Sequence, residues 1–401
     1  MIQILVTHPG RQHSHQAALA LQEAGMLAGY WAGVPATAAQ MAGAPAFLRR
    51  RLGRYAAMPL REEAVRWMPW APALRRLGDA LLPRRAAAWV DFAACRMFDR
   101  WAAVNLPEAC AGAVLACEIS ARETFREARR RGLKTLLDAP SIHHAAQDRL
   151  HGTTDPPALH RRIVRVKDQE IALADHILTV SEMARETYLD AGVPAAKVHA
   201  VPLGADTSLF TPRPAAAPEP GGFTFLFAGA SIRRKGFDLL LDAFARVAAV
   251  APDARLRIVG PRGDAAGCLE KHPSAAIAVL PPTDQAGLAA ELRRADCLVL
   301  PSRNDSYALV VAEALAAGVP ALVSEMVGAK DLITEGETGW ILPVDDVRTL
   351  AERMLWCARH PGAIRGMRDA CRRAAETATW PSYHRRLAAL LRGLVVGDNR
   401  P

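Results

Sequence analysis

The chain has 401 residues, 51% hydrophobic and 23% charged, a composition that excludes a disordered or low-complexity protein and leaves room for two or three domains. Lys and Arg number 50 against 41 Asp and Glu, and the net charge of +9 favours an anionic partner: nucleic acid, a phosphorylated substrate or an acidic membrane. No apolar run reaches the ~18–20 residues of a membrane span, and no basic stretch precedes Pro9-Gly10, so a cytoplasmic protein without a signal peptide is expected. In chain order, short apolar runs read as strands at Ile2–Val6, Ala113–Ala116, Thr135–Asp138, His176–Val180, Val198–Val201, Phe223–Phe227, Leu256–Val259, Ile277–Leu280, Cys297–Leu300 and Ala321–Val323. Their continuous apolar character is that of parallel strands buried on both faces. Helical periods lie between them, for example Phe237–Val250 and Ala286–Arg294. The alternation predicts an α/β protein with right-handed crossovers.

The pattern restarts once. Residues 211–222 hold four prolines and two glycines without a helical or strand period and read as a linker. The expected organisation is a Rossmann-like domain over 1–205, a linker over 206–220, a second such domain over 221–375 and a C-terminal helix over 376–401. Residues 45–100 break the rhythm. Twelve arginines there face five acids, interleaved with Phe47, Tyr55, Trp67, Trp70, Trp89, Phe92 and Phe98. No strand signal appears, and two or more amphipathic helices are expected. Docking on an anionic membrane surface, internal packing of the aromatics, and nucleic-acid binding are three readings of this stretch. No nucleic-acid reader motif accompanies the charge, so no nucleic acid is expected as a partner. The seven cysteines form no Cys-x-x-Cys pair and read as reduced thiols. Nothing in the sequence has metal-ligand spacing, and no metal is expected.

The strongest local signal begins at Ala295. A strand ending at Leu300 leads into the polar loop Pro301-Ser-Arg-Asn-Asp-Ser306, then a helix from Leu309 to Ala317 closed by Gly318. Asp305 precedes that helix and Glu313 lies one turn inside it. The first-turn N–H groups, about Tyr307–Val310, form an anion site between the two carboxylates. A diphosphate flanked by hydroxyl-binding carboxylates describes a nucleotide-sugar. A second constellation, Gly229-Ala-Ser-Ile-Arg233-Arg234-Lys235-Gly236, sets three cations between a strand and a helix, where like charges call for an anion. In the first half, Gly10 and His13 follow the first strand, and Asp138, Ser141 and His143 follow another.

The segment from Asp305 to Pro320 resembles the E-x7-E motif of the family 4 glycosyltransferases, a retaining GT-B family. Gly328, Asp331, Leu332 and Glu335–Trp340 are similar to that family's following segment, and Lys235-Gly236 to its diphosphate-binding turn. Ala174–Glu182, Val201–Pro212 and Trp380–Tyr383 are similar to its remaining marks. The resemblance implies two Rossmann-like domains facing across a cleft, with the last helix crossing back to the first. It implies a metal-independent transfer of a sugar, with retained configuration, from a UDP- or GDP-sugar to a sugar or lipid-linked hydroxyl acceptor. No cofactor is implied beyond the nucleoside diphosphate sugar as co-substrate. Cell-surface polysaccharide or glycolipid synthesis in bacteria, cytoplasmic or peripheral on the inner membrane face, is the expected setting.

His143, Asp305 and Lys235 are the implied catalytic residues. Gly10, Gly229, Arg233, Arg234, Lys235, Asp305, Ser306, Tyr307, Leu309, Val310 and Glu313 are implied on the donor side, Arg233 or Arg234 supplying the charge that Ala230 lacks. His13, Ser141 and Gly204 are expected on the acceptor side, with Gly204 lining the cleft. Asp305 stands where the family has Glu. A GT-B protein that binds a nucleotide or partner without turnover is therefore one alternative, and a GT-B-like epimerase is another.

Overall fold

The computed structural model describes residues 2–34, 37–43, 58–153, 155–214 and 222–396. Phe47, Arg49, Arg50, Arg51, Arg54 and Tyr55 of the basic stretch, and 215–220 of the expected linker, lie outside the described residues. Strands β1 (Ile4–His8), β2 (Leu27–Ala32), β3 (Val65–Trp67), β4 (Ala113–Cys117), β5 (Lys134–Ala139), β6 (His176–Thr179) and β7 (Val198–Ala200) form one sheet in the order 3-2-1-4-5-6-7. Strands β8 (Phe223–Ala228), β9 (Ala254–Val259), β10 (Ile277–Leu280), β11 (Cys297–Leu300), β12 (Ala321–Ser324) and β13 (Gly339–Leu342) form a second, ordered 10-9-8-11-12-13. Every pairing is parallel. This is the expected α/β architecture, two Rossmann-like sheets of the GT-B type.

The helices of the first half are α1 (Ser14–Glu23), α2 (Ala38–Gly43), α3 (Trp70–Leu81), α4 (Arg84–Asn105), α5 (Arg122–Arg130), α6 (His144–His151), α7 (Pro157–Leu173) and α8 (Glu182–Asp190). Those of the second are α9 (Phe237–Ala248), α10 (Gln285–Leu292), α11 (Leu309–Ala316), α12 (Val347–Arg359), α13 (Pro361–Gly366), α14 (Arg368–Thr377) and α15 (Trp380–Val396). α15 leaves the second sheet and packs on α1, where His384 bridges Glu23 (2.9 Å) and Gln16 (2.8 Å).

Three strands escape the sequence reading. β2 carries Gly29 in its interior and β13 begins with Gly339, which interrupts the apolar run in each. β3 corrects the expectation that 45–100 holds no strand: three residues are too few to show a period. The two expected amphipathic helices of that stretch are α3 and α4. Phe98 is fully buried and Trp101 meets Trp31 at a tilt of 58°, ring centres 5.6 Å apart, so much of the aromatic content packs inward.

Buried carboxylates tie the first half together. Asp99 of α4 accepts from the N–H groups of Glu123 and Thr124, and Glu170 of α7 accepts from those of Ile119, Ala121 and Arg122. Both occupy the start of α5, where first-turn donors lack intrahelical partners and the helix dipole favours negative charge. Arg96 lies 2.8 Å from Asp99 and 3.7 Å from Glu170, whose burial raises its carboxyl to about 8.

Candidate active site

Each sheet reverses its winding beside its first strand, between β1 and β4 and between β8 and β11. Open parallel sheets bind ligands beyond the carboxyl ends of the strands at such points. The two sets of carboxyl ends face each other across a cavity of about 560 Å³. Its first wall comprises Gln12 and His13 after β1, Pro140, Ser141 and Ile142 after β5, Gln147 of α6, Val180 after β6 and Leu203 after β7. Its second wall comprises Ala228 at the end of β8, Arg234, Lys235 and residues 304–310. The walls touch where Ser181 Oγ donates to the Ser306 carbonyl (2.6 Å) and Tyr307 Oη to that of Leu203 (2.5 Å).

The second wall is built from two loops pinned to one another. The turn 233–235 ends at Gly236, whose φ of +66° suits glycine; a Cβ there would sit 1.9 Å from the Pro301 carbonyl oxygen. Arg303 donates to the Arg233 carbonyl (2.6 Å) and pairs with Asp238 and Asp345. Arg234 Nη1 donates to the Asn304 carbonyl (2.7 Å). Lys235 Nζ meets Asp305 Oδ2 at 2.8 Å, so two residues 70 positions apart form one ion pair in the cavity wall. Residues 305–307 lie against 326–329: Asp305 N–H donates to the Met326 carbonyl, Gly328 N–H to that of Asp305 and Ala329 N–H to that of Tyr307.

α11 opens on the cavity without a side-chain cap. Ala308, at its N-cap, has φ +67° and ψ +71°, a left-handed conformation unfavourable for a residue with a Cβ. The N–H groups of Leu309 and Val310 have no backbone acceptor among the described residues and face the anion-binding end of the helix dipole. One turn deeper, Glu313 is buried with no ion-pair partner among the described residues, and burial raises its carboxyl to about 7. A carboxyl held near neutrality, with open acceptor capacity, is suited to hydroxyl donors from a ligand.

The first wall has different chemistry. His13 Nε2 lies 3.0 Å from Asp138 Oδ1, both side chains buried. Burial opposes charge on either group, but mutual attraction prevails: His13 is raised and Asp138 lowered from their ordinary values. The geometry therefore favours the charged form of each partner through the other. His8 behind it is pushed down to about 4 by burial, and its Nδ1 accepts from the Gly10 N–H (2.8 Å).

Of the residues expected at a site, His13, Ser141, Arg234, Lys235, Asp305, Ser306, Tyr307, Leu309 and Val310 line the one cavity. Gly229 lies just behind it, against the aliphatic chain of Lys235, and Gly10 precedes the lining residue Gln12. Glu313 lies one turn inside α11, behind the lining, and three further expected residues have their contacts elsewhere. His143 is buried outside the lining, where its Nδ1 accepts the Ala145 N–H (3.2 Å) and caps α6, and its ring meets Tyr188 edge-on. Burial and then His144 lower it to about 4. Arg233 is exposed and turns to Asp238 (3.3 Å). Gly204 packs on the chain entering α15: a Cβ there would lie 2.2 Å from the Thr379 carbonyl carbon. Gln12, Ile142, Gln147, Val180, Leu203 and Asn304 line the cavity unforeseen; all but Gln147, which projects from α6, share the one signal of a position just past a strand's carboxyl end.

Residues 212–378 match the family described as Glycosyl transferases group 1. A D-inositol 3-phosphate glycosyltransferase from Jonesia denitrificans is 28% identical over 250 residues, covering 56% of this chain and 58% of that protein. A phosphatidyl-myo-inositol mannosyltransferase from Mycobacterium leprae is 34% identical over 193 residues, covering 46% and 50%. The chain thus spans little more than half the length of these curated relatives. In fold, it superposes on a sucrose-phosphate synthase from Thermosynechococcus elongatus with a TM-score of 0.73 at 18% identity, over 99% of this chain and 100% of that one. It superposes on Anabaena HepE in complex with UDP with a TM-score of 0.68 at 13% identity, over 98% and 100%.

Proposed function

We propose, from the premise that residues 212–378 are a glycosyl transferases group 1 domain, that the protein is a glycosyltransferase. It moves a sugar from a UDP- or GDP-sugar to a hydroxyl acceptor, with retained configuration and without a metal, in bacterial cell-surface polysaccharide or glycolipid synthesis. The supporting observation is the pairing of unlike walls around one cavity. The diphosphate would lie against Lys235, Arg234 and the open N–H groups of Leu309 and Val310. The anomeric C–O bond breaks there, and the departing diphosphate gains negative charge. Fixed cations and a helix N-terminus stabilise that charge without reorganising. Glu313 would take hydroxyls of the nucleoside. Asp305, steered by Lys235, would take a hydroxyl of the transferred sugar. The acceptor oxygen forms the new bond from the side of His13 and Ser141, and its proton leaves on the departing diphosphate.

The relatives that act on an inositol phosphate and a phosphatidyl-inositol support an acceptor hydroxyl on a polyol or lipid headgroup. The test is donor turnover in chelator, with UDP- and GDP-sugars screened by thermal shift and the anomeric configuration of the product read by NMR. Nucleotide binding without turnover would move the protein to the non-catalytic reading. An altered sugar with no acceptor consumed would move it to the epimerase reading.

A further inference from the structure

Among the described residues, eight large apolar side chains are prominently exposed, and five of them, Trp70, Leu74, Leu77, Leu81 and Leu82, belong to α3 and the residue after it. The other three, Val104, Val250 and Val279, are scattered singly, as is normal for a protein surface. On α3 the spacing is i, i+4, i+7 and i+11. At 100° per residue, these four side chains fall within an arc of about 60°. The helix is anchored by its adjacent flank, about a quarter turn from the ridge: Ala71 and Gly78 are buried, and Arg75 pairs with Asp91 of α4. Asp79, the one acid of α3, lies on the far side from the ridge. At 12 residues, α3 is far too short to cross a bilayer.

Positive charge lies near the ridge. Arg84 and Arg85, just past its C-terminal end at the start of α4, and the half-buried Arg76 farther round α3 have no ion-pair partner among the described residues, whereas Arg61, Arg66, Arg75 and Arg96 in the same stretch do. An exposed apolar stripe with unpaired arginines near its end is complementary to one surface: apolar acyl chains beneath anionic headgroups. The helix also adjoins the cavity. Arg75 reaches the loop after β1, its Nη1 4.0 Å from where a Gly10 side chain would begin, and that loop continues into Gln12 and His13.

We propose that α3 is a docking helix that seats the first half of the protein on an anionic phospholipid surface, through Trp70, Leu74, Leu77 and Leu81 with Arg76, Arg84 and Arg85. This deepens the glycosyltransferase reading, on which it rests only for what the docking delivers: a membrane-borne acceptor at the first wall. The arginines give capture that weakens with salt, and the apolar ridge gives retention.

The test is co-sedimentation of the full chain with vesicles of phosphatidylcholine alone or containing roughly 30% phosphatidylglycerol, at low and physiological salt. Binding to the anionic vesicles alone is expected, and brominated acyl chains should quench Trp fluorescence by an amount that Trp70→Phe reduces. Joint replacement of Trp70, Leu74, Leu77 and Leu81 by Ser should cost roughly a hundredfold in binding, and joint Arg76→Glu, Arg84→Glu and Arg85→Glu a similar factor. Apart from the half-buried Arg76 all of these side chains are exposed, and an unchanged circular-dichroism spectrum and UDP thermal shift would confirm an intact fold and cavity. Three results would overturn the docking: no anionic-vesicle binding by the wild type, binding undiminished in the Ser variant, or a dimer in solution that the Ser variant dissolves. Vesicle binding without nucleotide binding would leave the docking standing and sink the glycosyltransferase reading.

Discussion

The two walls of the cavity are built on opposite plans. The second wall is assembled from loop backbone and exposed-to-half-buried charge: Lys235 on Asp305, Arg234 on the Asn304 carbonyl, and an uncapped helix start. Its charged groups are accessible to a ligand and already oriented. The first wall places its main ion pair, His13 with Asp138, inside the fold and presents few charges. The second wall thus offers accessible charge to a ligand, whereas the first contributes shape and one buried His13–Asp138 pair. Removing a charge should therefore affect mainly stability on the first side and mainly turnover on the second.

The largest effect should come from breaking the first wall's pair. His13→Ala leaves the Asp138 carboxylate buried and unpaired, with an expected loss of about 3–5 kcal/mol in urea unfolding at neutral pH. The Asp138 part of this stabilisation fades as pH falls through its lowered folded-state value. The His13 part fades as pH rises through its raised one. A wild-type-minus-variant difference that is flat with pH would refute a charged pair. On the second wall, Lys235→Ala should lower kcat for sugar transfer by about 10²–10³, as loss of one charge-stabilising group does, with little change in stability. Unaltered turnover would remove Lys235 from the chemistry.

Glu313 bridges the two plans, being buried like the first wall yet placed behind the second. Its folded-state pKa of about 7 lies above the ordinary carboxylate value. Stability is therefore fully present below about 4.5 and declines as pH rises through 7, by a total on the order of 3 kcal/mol. Glu313→Gln should flatten that decline in a pH series of thermal unfolding, while weakening nucleotide binding. The smallest effect should be Ala308→Gly, which relieves the left-handed Cβ and stabilises by about 0.5–1 kcal/mol once the greater freedom of unfolded glycine is deducted. Destabilisation by this change would mean that the Ala308 methyl packs usefully in the wall.

The same contrast explains what was legible in the sequence. The second wall is local. Arg234 and Lys235 follow one strand, Asp305 to Val310 follow another, and strand, glycine and helix start are visible along the chain. The first wall's pair joins residues 125 positions apart, and no spacing rule links them. His143 illustrates the limit from the other side: its position after a strand was readable, but not that its ring turns back to cap its own helix. Likewise, the period of Trp70, Leu74, Leu77 and Leu81 marks a stripe, while only the packed structure shows that an adjacent flank holds the helix and leaves this face uncovered. Arg233 and Arg234 are chemically identical neighbours, separated in role only by the turn that sends one to Asp238 and the other to the cavity.

The contact between Gly204 and Thr379 has a mechanical consequence. The chain passes between the two halves twice, and the passages lie side by side, Ala205 N–H donating to the Ala378 carbonyl at 2.9 Å and Ala205 bridging to Thr379. Joined in this way, the two connecting segments cannot slide past one another, and any relative movement of the halves has to carry both together. A methyl group at position 204 would meet the Thr379 carbonyl and force the segments apart.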